Sequence, residues 1–231
     1  MIPYKDDNPS RSFPMVTVLL IVVNVAAFLF FRLQGLRGFE AAVFELGLIP
    51  HEFWHGVNLE RSPGLSPYLT LFTSMFMHGG WLHVAGNMLY LWIFGDNVED
   101  YFGHFRYFFF YLICGVAAAF TQLFFAAGST VPMVGASGAV AGVLGAYFVL
   151  WPRARVHVLA FVFFFVTTIR VPAGFMLALW FLLQVLSSLP SRAASAGGGV
   201  AYFAHIGGFA LGYLWVRSQR RRRKIRATWL D

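Results

Sequence analysis

Val134-Gly135-Ala136-Ser137-Gly138-Ala139 places one hydroxyl among glycines and alanines at the start of an apolar run that continues to Trp151. Inside a membrane, small residues on a helix surface let neighbouring backbones approach closely, so a serine in such company is first of all a packing element. The stretch therefore predicts a helix pressed against a second helix with a matching smooth face. Residues 200–216 offer that face: Ala201, Ala204, His205, Gly208 and Gly212 fall within an arc of about 100° on a helical wheel. Ser137, Gly138, Ala141, Gly142 and Gly145 fall within about 140° on theirs. Two such stripes in contact would carry the Ser137 hydroxyl and the His205 imidazole toward each other.

The composition sets the environment in which this happens. Of 231 residues, 58% are hydrophobic and 12% are charged, where a soluble domain carries about 25% charged residues. The chain reads as an integral membrane protein embedded in a lipid bilayer. Residues 217–231 carry seven basic residues against Asp231 and so hold +6 of the net +7. The basic balance therefore describes a tail next to an apolar helix, which fits a cytoplasmic anchor facing anionic lipid and not a nucleic-acid surface. Cys114 is the single cysteine, which excludes an intramolecular disulfide framework.

A spanning helix needs about 20 mostly apolar residues. Spans are expected at 14–33, 81–95, 105–127, 136–151, 173–190 and 200–216, giving an all-α polytopic membrane protein with six transmembrane helices. The domain division is a cytoplasmic N-terminus at 1–13, a six-helix membrane domain at 14–216 and a basic cytoplasmic tail at 217–231. The run from Phe13 to Phe31 is too long for a signal-peptide core and is expected to stay as the first helix. Asn24, its buried polar residue, is expected to hydrogen-bond a neighbouring helix. Residues 34–80 form the longest connection, acidic and aromatic, with a turn at Pro63-Gly64-Leu65-Ser66-Pro67. Asp96 to Asp100 reads as a charged turn, and the Ser/Ala/Gly-rich stretch 191–199 as an outer loop. Residues 156–169 are apolar but short for a crossing, and are expected to be re-entrant or interfacial. Lys5, Arg11, Arg106, Arg153, Arg155 and the tail all fall on one side. By the positive-inside rule both termini are cytoplasmic, in a cell's inner (plasma) membrane.

With that topology Ser137, His205, His83 and Asn87 share the outer third of the membrane on three different helices. Ionisable residues at that depth mark a functional site by default. A serine hydroxyl becomes a nucleophile when a neutral imidazole about 3 Å away takes its proton, which assigns Ser137 and His205 as nucleophile and general base. Attack on a peptide carbonyl develops a negative oxygen that needs preorganised donors. His83 and Asn87, spaced i and i+4, share one helix face and can both donate to it. The backbone N–H of Ser137, near a helix N-terminus, is a third donor. No acidic residue stands near His205 in the sequence, so a Ser-His dyad is expected and not a triad. His78, beside Gly79 and Gly80, is expected to organise the long loop.

The chain resembles the bacterial rhomboid intramembrane serine proteases. The resemblance rests on His78-x4-His83-x3-Asn87, on Gly135-Ala136-Ser137-Gly138, and on Ala204-His205-Ile206-Gly207-Gly208 followed by Gly212. It implies a rhomboid-like six-helix fold with an outward-facing cavity and a Ser137–His205 dyad. It also implies an oxyanion hole of His83, Asn87 and Ser137, with Gly135, Gly138, Gly208, Gly212 and His78 as structural residues. Substrates would be single-span membrane proteins cut near the outer boundary and entering laterally, which makes Phe175, Trp180 and Phe181 gate residues. No cofactor and no metal are implied. The chain departs from many relatives at Leu69-Thr70, where they carry a Trp-Arg pair, and at Ala141, where some carry an aromatic that stacks on the histidine. The alternative reading is a non-proteolytic rhomboid-fold protein that binds membrane clients. Such relatives typically lack the serine or the histidine, and this chain has both.

Overall fold

A computed structural model describes residues 2–59, 65–162, 165–191 and 200–228 of the chain. The Pro63-Gly64 turn and the stretch 192–199 lie outside the described residues.

Six helices overlap the six expected segments. They are α1 (Met15–Arg32), α5 (Trp81–Phe102), α6 (His104–Phe125), α7 (Ser137–Leu150), α8 (Ala173–Ser191) and α9 (Tyr202–Thr228), with α5 and α9 running past the expected ends. Between α1 and α5 run the shorter α2 (Gly35–Leu46), α3 (Pro50–His55) and α4 (Thr70–Thr73) and a 3₁₀ turn at Ser74–Phe76. Helices α1 and α6, with mean hydropathy 2.3 and 2.0, are long and apolar enough to cross a membrane, whereas α7 and residues 173–189 of α8 are apolar but shorter. The centre of the bundle is α7, most of whose side chains from Gly138 to Tyr147 are buried.

Asp96 to Asp100 are the last turns of α5, not a turn between helices. The helix continues because its charges have partners. Glu99, 1% exposed, accepts the backbone N–H groups of Val16 (2.9 Å) and Thr17 (2.8 Å) and the Thr17 hydroxyl (2.7 Å). Those N–H groups belong to the first turn of α1, which has no intrahelical acceptors and carries the positive end of the helix dipole. His104 Nδ1 lies 2.5 Å from the same carboxylate. Asp100 in turn accepts the Arg11 N–H and both the N–H and hydroxyl of Ser12. One helix end thus caps another.

Residues 156–169 are extended backbone and not a helix. They form β2 (Arg155–Val162) and β3 (Phe165–Pro172), paired antiparallel from Arg155↔Pro172 to Val162↔Phe165. The N-terminal segment adds β1 (Ile2–Asp6) to the other side of β2, with Ile2 opposite Leu159 and a bulge between Pro3 and Lys5. The β-branched content of Val156, Val158, Val166, Thr167, Thr168, Ile169 and Val171 favours extended backbone over helix. Val156, Val158 and Ala160, two residues apart, are all buried. Tyr147 of α7 donates its hydroxyl to Asp6, and His157 meets Asp7 at 2.6 Å. Arg220 donates to the Val149 carbonyl at 2.7 Å. The N-terminal strand, the hairpin and the start of the basic tail therefore sit together at one end of the bundle.

Helix α9 continues without a break through Thr228, so the division expected at residue 216 is not a break in the backbone. Asn24 donates to the Leu20 carbonyl of its own helix at 2.7 Å, and its side chain also meets the Tyr111 hydroxyl of the neighbouring helix α6.

Candidate active site

At the other end, the loop between α1 and α5 is tied down by backbone bonds. Leu48 and Met133 exchange hydrogen bonds at 2.9 and 2.8 Å, and His51 N–H donates to Ser129. Trp54 donates to the Leu123 carbonyl at 3.0 Å and Thr73 to the Leu46 carbonyl at 2.7 Å. Gly135 N–H donates to the Ser74 carbonyl at 2.9 Å. These bonds anchor the loop, of which Leu69-Thr70 is a part. The loop thereby fixes the turn that presents Ser137.

Gly135 has φ +130°, a conformation that L side chains rarely adopt, and a Cβ there would stand 2.7 Å from His83 Nε2. The glycine is what lets the His83 ring lie against the turn. His78 is fully buried and packs edge-on against His83 at 5.2 Å. Burial pushes the His78 imidazole down to about 4, and His83 adds to the shift, so the ring is neutral.

Ser137 is the first residue of α7, where backbone N–H groups lack intrahelical acceptors. His205 lies in the first turn of α9. Two helices carry them together because their glycines touch backbone. A Cβ on Gly208 would lie 2.0 Å from the Gly138 oxygen, one on Gly212 2.0 Å from the Gly142 oxygen, and one on Gly145 2.2 Å from the Phe209 oxygen. Gly138 itself makes room for Ala118 of α6. At this separation His205 Nε2 stands 2.8 Å from Ser137 Oγ, within hydrogen-bond distance.

A cavity of about 680 Å³ between α5, α7, α8 and α9 is lined by Ser137, His205, His83 and Asn87 together with Ala141 and Trp180. Asn87 is 8% exposed and its Nδ2 donor has no partner among the described residues. A buried amide donor facing a cavity is costly unless a ligand accepts from it. Among the described residues, no three His, Cys, Asp or Glu side chains converge as a metal-binding group.

Residues 66–222, more than half of the chain, match the rhomboid domain. The chain belongs to the rhomboid family. It is 31% identical over 205 residues to the yeast Saccharomyces cerevisiae protein named Rhomboid protein 1, mitochondrial, an alignment covering 82% of this chain and 55% of that one. It is 34% identical over 148 residues to RHOMBOID-like protein 4 of Arabidopsis thaliana, covering 62% of this chain and 32% of that one. With Rhomboid protease GluP of Bacillus subtilis the identity is 40% over 76 residues, 33% of this chain and 14% of that one. The chain thus spans about half the length, or less, of these curated relatives. As a rhomboid, it is a membrane protein.

Two residues on α8 complete the surroundings of His205 in this rhomboid. Gln184 Oε1 is 2.8 Å from His205 Nδ1. Trp180, four residues earlier and so on the same helix face, lies over the imidazole with ring centres 5.8 Å apart and planes tilted by 35°. Gln184 escaped the sequence reading, although an amide within the apolar helix Ala173–Ser191 was a signal that it has a partner. Of the three residues read as a gate, Phe175 is 65% exposed, Phe181 stacks on Phe209 of α9 at 4.6 Å, and Trp180 lines the cavity.

Proposed function

We propose that the chain is a serine endopeptidase that hydrolyses a peptide bond of single-span membrane proteins near the outer membrane boundary. The observation that carries this reading is the 2.8 Å contact between His205 Nε2 and Ser137 Oγ inside a cavity that is also lined by the unpartnered Asn87 Nδ2 donor. His205, neutral, takes the hydroxyl proton as Ser137 Oγ attacks the scissile carbonyl carbon. The carbonyl oxygen becomes an oxyanion that accepts from Asn87 Nδ2, the His83 ring and the Ser137 N–H. His205 then delivers its proton to the leaving nitrogen, the new N-terminus departs, and an ester between Ser137 and the substrate remains. Water, activated by the same imidazole, hydrolyses that ester and restores the serine.

Six helices, α1 and α5 to α9, cross the membrane in this reading, and the end that holds the N-terminal strand, the β-hairpin and the basic tail is cytoplasmic. The protein would reside in the plasma membrane with Phe175, Trp180 and Phe181 along the path by which substrate enters from the lipid.

The test is cleavage of a reconstituted panel of single-span proteins by the wild type, Ser137→Ala and His205→Ala, with the cut site mapped by mass spectrometry. Both variants should fold and neither should cleave. Retained cleavage in either refutes the dyad, and a cut site at the cytoplasmic boundary refutes the orientation.

A further inference from the structure

A histidine that is to accept a proton at Nε2 must carry its own proton on Nδ1. The two tautomers of a neutral imidazole differ in which nitrogen holds the lone pair, and the partner of the distal nitrogen decides between them. Asp or Glu commonly fills that place in serine hydrolases. Here the acidic residues of α5 are engaged at the far end of the bundle with α1 and the N-terminal segment. The atom that faces His205 Nδ1 is the side-chain oxygen of Gln184, at 2.8 Å.

The two contacts of the ring form one choice. With Gln184 Oε1 accepting from Nδ1–H, the Nε2 lone pair points at Ser137 Oγ, which donates to it at 2.8 Å. With the amide reversed, the Gln184 NH₂ would donate to Nδ1, the ring proton would sit on Nε2, and the imidazole could not act as a base toward the serine. The ring plane is held as well, because Trp180 lies against it one turn before Gln184. Ala141, buried on α7, offers no ring for that purpose. One face of α8 therefore supplies both the tautomer and the orientation of a histidine borne on α9.

We propose that Gln184 is the positioning residue of the His205–Ser137 pair, setting the Nδ1–H tautomer from helix α8. The proposal rests on the protease reading for its kinetic consequence but not for its structural one. It also links the base to the seating of α8: a displacement of that helix by about 1 Å takes the 2.8 Å bond beyond hydrogen-bond reach. Much of the other side of α8 carries exposed apolar side chains, among them Leu179, Leu182 and Leu186.

The experiment uses the full chain in detergent and in liposomes. Nitrogen NMR of ¹⁵N-histidine-labelled protein, with the His205 signal identified by His205→Asn, should report a proton on Nδ1 in the wild type. In Gln184→Leu it should report the Nε2–H form or a mixture. In cleavage assays Gln184→Leu should lower kcat at least about tenfold with KM little changed, since the wrong tautomer removes the base and not the binding. Gln184→Glu restores an acceptor, should recover most of the rate, and should move the acid limb of the pH–rate profile to higher pH, because an adjacent carboxylate favours imidazolium. A purely structural role would leave that limb in place. If Gln184→Leu does not fold, Gln184→Met serves as a flexible apolar replacement. A wild-type His205 protonated on Nε2, or a tautomer unchanged by both apolar variants, overturns the proposal. A wild type that cleaves no substrate and resists fluorophosphonate labelling fails the protease reading instead, and the tautomer measurement still decides the role of Gln184.

Discussion

Replacing Gly208 by alanine adds one methyl group at the tightest point between α7 and α9. The new Cβ would stand 2.0 Å from the Gly138 carbonyl oxygen and 3.4 Å from Gly142 N, and both obstacles are backbone. Ordinary contact begins at 3.4 Å, so the helices must part locally by about 1.4 Å along that line. Ser137 adjoins Gly138 and His205 is one turn from Gly208, so little chain is available to absorb the movement. Carried through in full, it stretches the 2.8 Å contact of His205 and Ser137 to about 4 Å, past the ~3.2 Å reach of a hydrogen bond. A misplacement of about 1 Å costs on the order of 10²-fold in rate, and overpacking costs about 1–3 kcal/mol in stability. Gly208→Ala should therefore lose most cleavage and most fluorophosphonate labelling of Ser137 while its melting temperature falls by several degrees. Gly128→Ala, whose added Cβ meets nothing within 4 Å, is the matched control and should behave as wild type. If Gly208→Ala labels and cleaves at the wild-type rate with an unchanged melting temperature, the helices are not held by this backbone contact and the reasoning fails.

Glu99→Ala leaves the Val16 and Thr17 N–H groups and the Thr17 hydroxyl without their acceptor, and should cost about 3 kcal/mol in detergent unfolding; Glu99→Gln, which keeps one acceptor oxygen, should lose less. Gly135→Ala forces a side chain into positive φ and against His83 Nε2, so the serine should label slowly even in protein that elutes as folded. Asp7 lies below its ordinary carboxylate range because His157 hydrogen-bonds to it. A carboxyl lowered in the folded state contributes stability above its unfolded pKa and loses it as pH falls through the folded value. The grip on β1 should thus hold above pH ~4 and loosen below it, read as the mobility of a spin label on Tyr4→Cys. His157→Ala should weaken that pH dependence, the remainder coming from Asp6, whose carboxyl is pushed up by burial and held by Tyr147.

The features legible in the sequence were those that a single helix carries by itself. The six apolar segments, the small-residue stripes of α7 and α9, and the placing of Ser137 and His205 on those stripes follow from helical periodicity, a local property of the chain. The tight approach of the two helices was legible too, because a stripe of glycine and alanine has little use except contact with another backbone. What the sequence left open were the partners of polar groups. The acidic cluster Asp96 to Asp100 reads as a turn until the first turn of α1 is brought to Glu99, more than 80 residues away in the chain. The apolar stretch after Arg155 reads as a segment with no evident partner until Ile2–Asp6 supplies the neighbouring strand. Gln184 reads as a stray amide until α8 lays it on His205 Nδ1. In each case a buried donor or acceptor must be satisfied, and many different positions of the chain could satisfy it. Periodicity says where a helix lies and which face it buries; only the packed tertiary structure selects which distant group meets the polar atom.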